Sequence, residues 1–596
     1  MGITARGAWV AVRRHFAELG VDVDDEPVTV VGIGDMSGDV FGNGMLRSRT
    51  LRLVGAFDHR HVFLDPDPDP EVSYRERTRL AGLPRSSWAD YDPALISTGG
   101  GVFPRTAKSV RLSPQVRARL GIDAAELPPS EVIRALLRAP VDLLWNGGIG
   151  TYVKASTESH AEAGDRAAEA VRVDADELAC RVIGEGGNLG LTQRARIEFA
   201  HRGGLCNTDF IDNAAGVDTS DREVNLKILL DGAVADGEID RDERDALLRS
   251  LTDEVAAAVL ADTSRQVRAI SMSAARSPFL LDRHARLIRN LEEQAGLNRA
   301  VEHLPTEADL ERRRQSGQGL TRPELAVLLA YSKNLVRAEL QAADLPDDPT
   351  PVVSAYFPRA VQERFGARIR RHPLLREIAA TQLASDLIDR AGPGFLYRLE
   401  ERTGAGTPEV ARAFAAVQAV FDLPWSAADG LPPAAEQAVL RDLQELTEHA
   451  AEELLHRGAT GAAAARYRAP SRAAQSCSPP ASPVTWPTAS PCSPRSRPRW
   501  SWRTWRSTWG NRSPPSPAIT SRWRTPSTCP GCSRSSRRSP PTRTGCRRRR
   551  RRCARRSRST GRGSCAPRPP VSHRRLRGSG PSWRNSGRSG PSTSRC

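Results

Sequence analysis

The sequence predicts an α/β protein: a parallel sheet covered on both faces over residues 1–235, an all-helical part over 236–457, and a disordered tail over 458–596. Three observations predict it. Short apolar runs rich in β-branched residues alternate with helix-like stretches in the first part, as strands joined by helical crossovers require. From about residue 236 the apolar residues recur only at three- and four-residue spacing. After Arg457 that periodicity stops.

The candidate strands are Val28-Thr29-Val30-Val31, Leu51-Arg52-Leu53-Val54, Val141-Asp142-Leu143-Leu144 and Arg181-Val182-Ile183. Gly, Asn and Asp cluster after several of them, where βα turns need residues that tolerate unusual dihedrals. In the helical part, Leu280, Leu281, His284, Leu287, Ile288 and Leu291 form one apolar stripe. Thr321-Arg322-Pro323-Glu324 reads as a capping box, and Leu325, Leu328, Leu329 and Leu335 continue its buried face. Leu374, Leu375, Ile378, Leu383 and Leu387 form a further stripe, stopped by Gly392-Pro393-Gly394.

The formal charge is +17, from 87 Lys+Arg against 70 Asp+Glu, a balance that taken whole suggests a nucleic-acid binder. The charge is divided unevenly. Residues 461–596 hold 32 arginines and no Asp, Glu, Lys, Met or Phe, so residues 1–460 carry 55 basic against 70 acidic side chains, a net of −15. The tail also holds eight of the ten cysteines, seven of the eleven tryptophans and 20 of the 44 prolines. Such a composition buries too little apolar surface to offset chain entropy, hence the expected disorder. Arg, Ser, Pro, Trp, Cys and Gly together are what GC-rich codons yield out of frame, and a frameshift near 457–465 is the expected origin. The competing reading is a basic nucleic-acid-associated protein whose tail binds polyanions nonspecifically, with arginine clusters on phosphates and Trp500, Trp502, Trp505 and Trp509 stacking on bases.

In the first 460 residues only Cys180 and Cys206 remain, which is no disulfide framework. The N-terminus lacks a signal-peptide layout, and no apolar run approaches the roughly 18–20 residues that cross a membrane. A cytoplasmic protein without a membrane partner is the expectation.

The chemistry concentrates in Val28-Thr29-Val30-Val31-Gly32-Ile33-Gly34-Asp35-Met36-Ser37-Gly38, a strand entering a glycine-rich turn. Gly32 permits a tight turn, Gly34 lets backbone approach a pyrophosphate, and Ser37 or Gly38 allows close helix packing. The helix N-terminus adds N–H donors and a positive dipole end. A second strand, Leu51–Ala56, leads to Asp58, 20 residues after Gly38, where a carboxylate accepts from the ribose 2′-hydroxyl of NAD. His59 and Arg60 stand beside it. Three later patches, Trp145–Gly150, Gly184–Asn188 and Asn213–Val217, repeat the Gly/Asn chemistry after later strands. Together they fit a cofactor cleft beyond the carboxyl ends of a Rossmann-like parallel sheet, although each alone is an ordinary turn signal.

Residues Gly2–Gly7, Val30–Arg47, Phe57–Asp65, Ser97–Ala107, Pro140–Ser156 and Val182–Leu229 resemble the C-terminal region of the large bacterial NAD-specific glutamate dehydrogenases, and the likeness continues to about residue 455. The resemblance implies oxidative deamination of L-glutamate to 2-oxoglutarate and ammonia, with hydride passing to NAD, by a homo-oligomer in the full-length enzyme. By position, Thr4 is similar to the family's threonine near the nicotinamide end. Gly32, Gly34, Ser37 and Gly38 resemble the phosphate turn, Asp58 the ribose acceptor, and Asn146 and Asn188 residues lining the cofactor cleft. Val217 and Ser220 resemble the pair contacting the glutamate side chain.

The same resemblance implies what is missing. The family's catalytic lysine and aspartate belong to a preceding substrate domain with a Lys-Gly-Gly-type motif, and no such motif occurs here. Only Lys108, Lys154, Lys227 and Lys333 are present, none in a matching context. The chain is therefore expected to be a fragment starting at an internal methionine, able to bind NAD and unable to turn over alone. A dehydrogenase of another amino acid is the remaining alternative within the class.

No metal is expected. Asp231–Glu243 has part of a calcium-loop pattern, but Gly232 and Val234 fall at ligand positions, so a helix-to-helix turn is preferred. Cys529-Pro530-Gly531-Cys532 lacks a second pair at zinc-finger spacing. His59 and His61 lack a carboxylate partner at known spacing, and Cys206 reads as a packed thiol.

Overall fold

The computed structural model describes residues 2–343, 349–421 and 423–458. All four expected strands form: β1 (Val28–Ile33), β2 (Leu51–Phe57), β5 (Leu143–Asn146) and β6 (Val182–Glu185). Two that the apolar pattern did not mark, β3 (His61–Leu64) and β4 (Gly101–Pro104), complete a six-stranded sheet in the order β6-β5-β1-β2-β3-β4. The pairings among β6, β5, β1 and β2 are parallel, whereas β3 and β4 run antiparallel. The expected parallel sheet thus has an antiparallel edge. Only residues 58–60 separate β2 from β3, too few for a crossover, so β3 must turn straight back.

Helices cover both faces, as the apolar strands require. On one side α1 (Ile3–Glu18) and α2 (Asp39–Met45) bring Trp9, Val12, Phe16 and Met45 onto Val28, Val30, Leu53, Leu143 and Val182. On the other, α3 (Pro129–Arg138) packs Val132, Ile133 and Leu136 against Val31, Ile33, Val54, Leu144 and Ile183. Trp145 is fully buried, with the Trp9 ring edge-on at 6.0 Å. Truncating a core tryptophan of this kind costs about 3–5 kcal/mol.

After β6 come α4 (Gln193–His201), a single turn α5 (Asp209–Asp212) and the long α6 (Ala214–Ala235). Further on, α7 (Thr252–Ala274), α8 (Ser277–Gln294), α9 (Arg322–Ala342), α10 (Leu375–Ala391), α11 (Thr407–Phe421) and α12 (Pro433–His456) lead the helical part. Helix α1 is shared: one side lies on β6, another on α6 and α7.

The capping box forms, with the Thr321 amide and hydroxyl both 2.7 Å from a Glu324 carboxylate oxygen. In α8, Leu281, His284, Leu287, Ile288 and Leu291 are buried. Leu374 departs from its expected stripe: it precedes the first turn of α10 and stays exposed, because the helical period begins only at Leu375. Gly392, with φ of 89°, ends that helix. The Asp231–Glu243 segment is a helix-to-helix turn, where Asp240 accepts from the Glu243 amide at 2.8 Å and Asp236 and Glu238 pair with Arg368. Among the described residues, no helix is long and apolar enough to cross a membrane. The expectations for residues 459–596, including disorder, frameshift, zinc and polyanion binding, lie outside the described residues.

Candidate functional site

The register of the parallel strands lines up their carboxyl ends. Phe57 pairs with Ile33, Ile33 with Asn146, and Asn146 with Glu185, so Asp58, Gly34, Gly147 and Gly186 follow one another along a single edge. The strand order reverses there, because β2 lies to one side of β1 and β5 to the other. Such a switch point opens a crevice between diverging connections, where open α/β sheets take their ligands.

At β1 the turn begins at Gly34, whose φ of 135° is rarely open to an L side chain and whose missing Cβ would lie 2.8 Å from the Phe41 Cβ. Gly32 sits one step earlier than the sequence reading placed it, inside β1 under the Phe41 ring, so it serves packing and the turn itself is left to Gly34. Close helix packing also falls elsewhere, at Gly44 beneath the Trp145 indole. Ser37 and Gly38 donate their amides to Asp35 Oδ1 at 2.9 and 3.1 Å, and the Ser37 hydroxyl adds a bond of 2.6 Å. Those two amides are thus already engaged. The first-turn N–H groups of α2 have by helix geometry no intrahelical partner and receive no side-chain cap from Gly38.

Asp58 stands at the end of β2 with its side chain only 3% exposed. Its Oδ1 accepts from the Arg60 and His61 amides at 2.7 and 2.5 Å, while its buried Oδ2 has no hydrogen-bond partner. The Arg60 guanidinium lies 3.8 Å from Asp58 and 3.7 Å from Asp35, one strand away. Among the described residues, Asp35, Asp58 and His59 are the one set of potential metal ligands that converges, with ligand atoms within 4.8 Å. The carboxylates that His59 lacks in sequence are therefore present in space. Arg60 already supplies the positive charge between them.

Asn146 is buried at the end of β5; its Nδ2 donates to the Gly187 carbonyl at 3.3 Å, and its buried Oδ1 has no partner. The turns after β5 and β6 are laced together. Gly187 donates to the Asn146 carbonyl at 2.8 Å, Tyr152 to that of Gly190 at 2.9 Å, and the Thr151 hydroxyl to that of Leu189 at 2.8 Å. A Cβ on Gly187 would meet the Gly148 carbonyl at 2.5 Å, so this approach needs glycine. Exposed Asn188 accepts a hydrogen bond from Asn213, just before α6. Thr4 meets Gly216 closely enough that a Cβ there would lie 2.5 Å from its hydroxyl. Val217 and Ser220 follow on the exposed side of α6, with Val217 67% accessible. The fold thus gathers Thr4, Asn188, Val217 and Ser220 at the β6 end of the crevice, Asn146 at its centre, and Gly34 and Asp58 towards β2.

Beneath the β6 turn lies a charged network that sequence reasoning did not anticipate. Arg196 of α4 holds Glu185 through two bonds of 2.7 and 2.8 Å and reaches Asp209 at 3.3 Å. Asp209 in turn accepts from the Leu189 amide at 2.7 Å, and Asp212 from the Glu185 amide at 3.1 Å and the Asn207 side chain at 3.0 Å. Burial works against the Arg196 charge, and the facing Glu185 and Asp209 carboxylates more than offset it, placing its pKa above the ordinary arginine value. Burial pushes Asp212 up to about 8, with Glu185 adding repulsion. Cys206 is a packed thiol whose pKa burial raises well above its ordinary value. The only local signal was the run of polar residues Asn207-Thr208-Asp209, ordinary for a loop. Three of the four lysines are held in ion pairs: Lys154 with Asp174, Lys227 with Glu223, Lys333 with Asp389.

A parallel-centred sheet with a glycine turn, a buried acidic residue after β2 and paired Gly/Asn turns across the switch point defines a Rossmann-like α/β protein. Comparison with known proteins narrows this. Residues 1–273 match the family model described as bacterial NAD-glutamate dehydrogenase, catalytic domain, and residues 317–476 match glutamate dehydrogenase, C-terminal. The chain belongs to the bacterial NAD-specific glutamate dehydrogenase family. It is 53% identical over 426 residues to the NAD-specific glutamate dehydrogenase of Pseudomonas aeruginosa, covering 71% of this chain and 26% of that protein. The counterpart from Mycobacterium tuberculosis is 51% identical over 468 residues, covering 76% and 29%. That from Halomonas elongata is 49% identical over 454, covering 75% and 28%. The aligned part of this chain thus spans between 26% and 29% of the length of these curated relatives.

Proposed function

We propose that this chain is the coenzyme-binding part of an enzyme that oxidatively deaminates L-glutamate to 2-oxoglutarate and ammonia. NAD, when bound, takes the hydride. The observation that carries this reading is the pair of buried acceptors on the crevice edge that receive no hydrogen bond: Asn146 Oδ1, and Asp58 Oδ2, which has only the Arg60 guanidinium at 3.8 Å. A buried acceptor left without a donor costs free energy, and both stand where a dinucleotide offers donors.

In this reading Asp58 accepts from a hydroxyl of the adenosine ribose, held in position by the Arg60 and His61 amides on its other oxygen. A carboxylate there repels a 2′-phosphate, which favours NAD over NADP. Gly34 lets backbone approach the pyrophosphate, and the first turn of α2 supplies N–H donors and a positive dipole end. Ser37 and Gly38 act indirectly, by fixing the turn through Asp35. Asn146 accepts from the carboxamide of the nicotinamide, with Thr4 and Asn188 beside it. Val217 and Ser220 face the glutamate side chain. No catalytic residue is assigned within this chain: three of its lysines are neutralised by carboxylates, and none stands among the crevice residues named above.

Calorimetric titration of NAD into the chain tests this. Binding is expected, weakened about 10–100-fold in Asp58→Ala, where a charge-assisted hydrogen bond is lost. No NAD-linked glutamate oxidation is expected from the chain alone. Absence of NAD binding, or an unchanged Kd in Asp58→Ala, overturns the coenzyme reading, and robust turnover overturns the assignment of no catalytic group.

A further inference from the structure

Two large apolar side chains stand exposed on the turns at the β5 and β6 end of the crevice: Ile149 at 96% and Leu189 at 66%. Neither position is accidental in its backbone. Leu189 has φ of 58°, one of three non-glycine residues among the described ones in the left-handed region, which a leucine enters only at a cost in free energy. The conformation is imposed from both sides of the residue. The Leu189 amide donates to Asp209 at 2.7 Å and its carbonyl accepts from the Thr151 hydroxyl at 2.8 Å. Ile149 is held likewise, its carbonyl accepting from the Tyr152 hydroxyl at 2.9 Å. An exposed leucine kept in a strained conformation by two tethers gains nothing for the fold, since neither burial nor packing repays it.

We infer that Leu189 and Ile149 pack together against one face of the nicotinamide ring of the bound coenzyme and leave the opposite face open to the hydride donor. The inference rests on the coenzyme reading above and adds the contacts that position its reactive end. Strands in a sheet lie about 4.8 Å apart, so the β5 and β6 turns stand about 10–14 Å across the edge from the β2 end that carries Asp58. A dinucleotide whose adenosine ribose is at Asp58 and whose pyrophosphate crosses β1 puts its nicotinamide ring over those turns. The ring is flat and largely apolar on its faces, and branched aliphatic side chains cover one such face while Asn146 reads its carboxamide edge.

Titration of NAD and of ADP-ribose, which lacks the nicotinamide, into the parent chain, Leu189→Gly and Ile149→Ala separates the possibilities. Glycine at 189 accepts the left-handed backbone, so thermal stability is expected to hold or rise in that variant. The expected result is a Kd for NAD raised about tenfold in each variant and a Kd for ADP-ribose within about twofold of the parent. Equal weakening of both ligands, or an unchanged Kd for NAD, overturns the ring assignment and leaves the coenzyme reading intact. A parent chain that binds neither ligand overturns both.

Discussion

Arg196 and Glu185 form a two-pronged ion pair, at 2.7 and 2.8 Å, buried directly beneath the carboxyl end of β6. The pair ties α4 to the strand that carries the Asn188 turn, and Asp209 joins the same guanidinium to the Leu189 amide. Removing one partner of such a pair leaves the other charged and out of water, which costs far more than the pair's net contribution. Arg196→Met is therefore expected to lower unfolding stability by about 3–5 kcal/mol, measured by urea titration. A loss below about 1 kcal/mol would show that water reaches Glu185.

Asp212 gives the same region a pH dependence. Its carboxyl titrates at about 8 in the folded protein, raised from 3.8 by burial first and by Glu185 second. The folded state thus holds a proton that the unfolded chain gives up between pH 4 and 8, so stability falls as pH rises through that window. The slope from this one proton is at most about 1.4 kcal/mol per pH unit. Asp212→Asn is expected to remove that component, read as a flatter curve of unfolding free energy against pH between 4 and 8.

His15 contributes with the opposite sign. It is fully buried with neither ring nitrogen hydrogen-bonded, and burial, together with Arg322 and Arg14 and against Glu18, lowers its pKa from 6.5 to about 3. The unfolded chain takes up a proton below pH 6.5 that the folded one refuses until about 3, so stability is lost as pH falls through that interval. His15→Leu removes two ring nitrogens that have no hydrogen-bond partner from a fully buried position. The variant is expected to denature at lower pH than the parent, followed by far-ultraviolet circular dichroism during acid titration.

The charge division in the sequence separates coenzyme binding from any polyanion affinity. Truncation after residue 458 removes a strongly basic segment and keeps every residue named at the crevice. The truncated chain is expected to bind NAD with the parent's Kd and to lose retention on heparin, while the parent's retention weakens steeply with salt. Equal retention of both chains would place the polyanion contact in the acidic first part.

The edge chemistry was legible because it is local. Val28 to Gly38 is continuous in sequence, the four parallel strands announce themselves as short β-branched runs, and Asp58 follows at the spacing a βαβ unit imposes. What proved wrong in that stretch was the division of labour among glycines. Periodicity cannot say whether Gly32 ends β1 or lies inside it, and the answer depended on where the Phe41 ring packs. The strands β3 and β4 escaped the apolar pattern, β4 because Gly101 and Pro104 leave it only two apolar residues, and their pairing is decided by β2 beside β3 and by β3 beside β4.

The sequence by itself determined the α/β class, the glycine turn, the acidic residue that follows the second strand, and family membership, since each is written in residues near one another along the chain. Only the tertiary structure decided which groups are left wanting a partner. Asp58 and Asn146 stand 88 positions apart in the chain, yet strand register puts them along one edge, each with a buried oxygen that receives no hydrogen bond. Arg196, Asp209 and Asp212 became a network, and Leu189 a strained and exposed side chain, only once β6, α4 and α5 closed around the same turn. Burial and hydrogen-bond satisfaction are properties of the surroundings, and those are made by chain segments that no local pattern brings together.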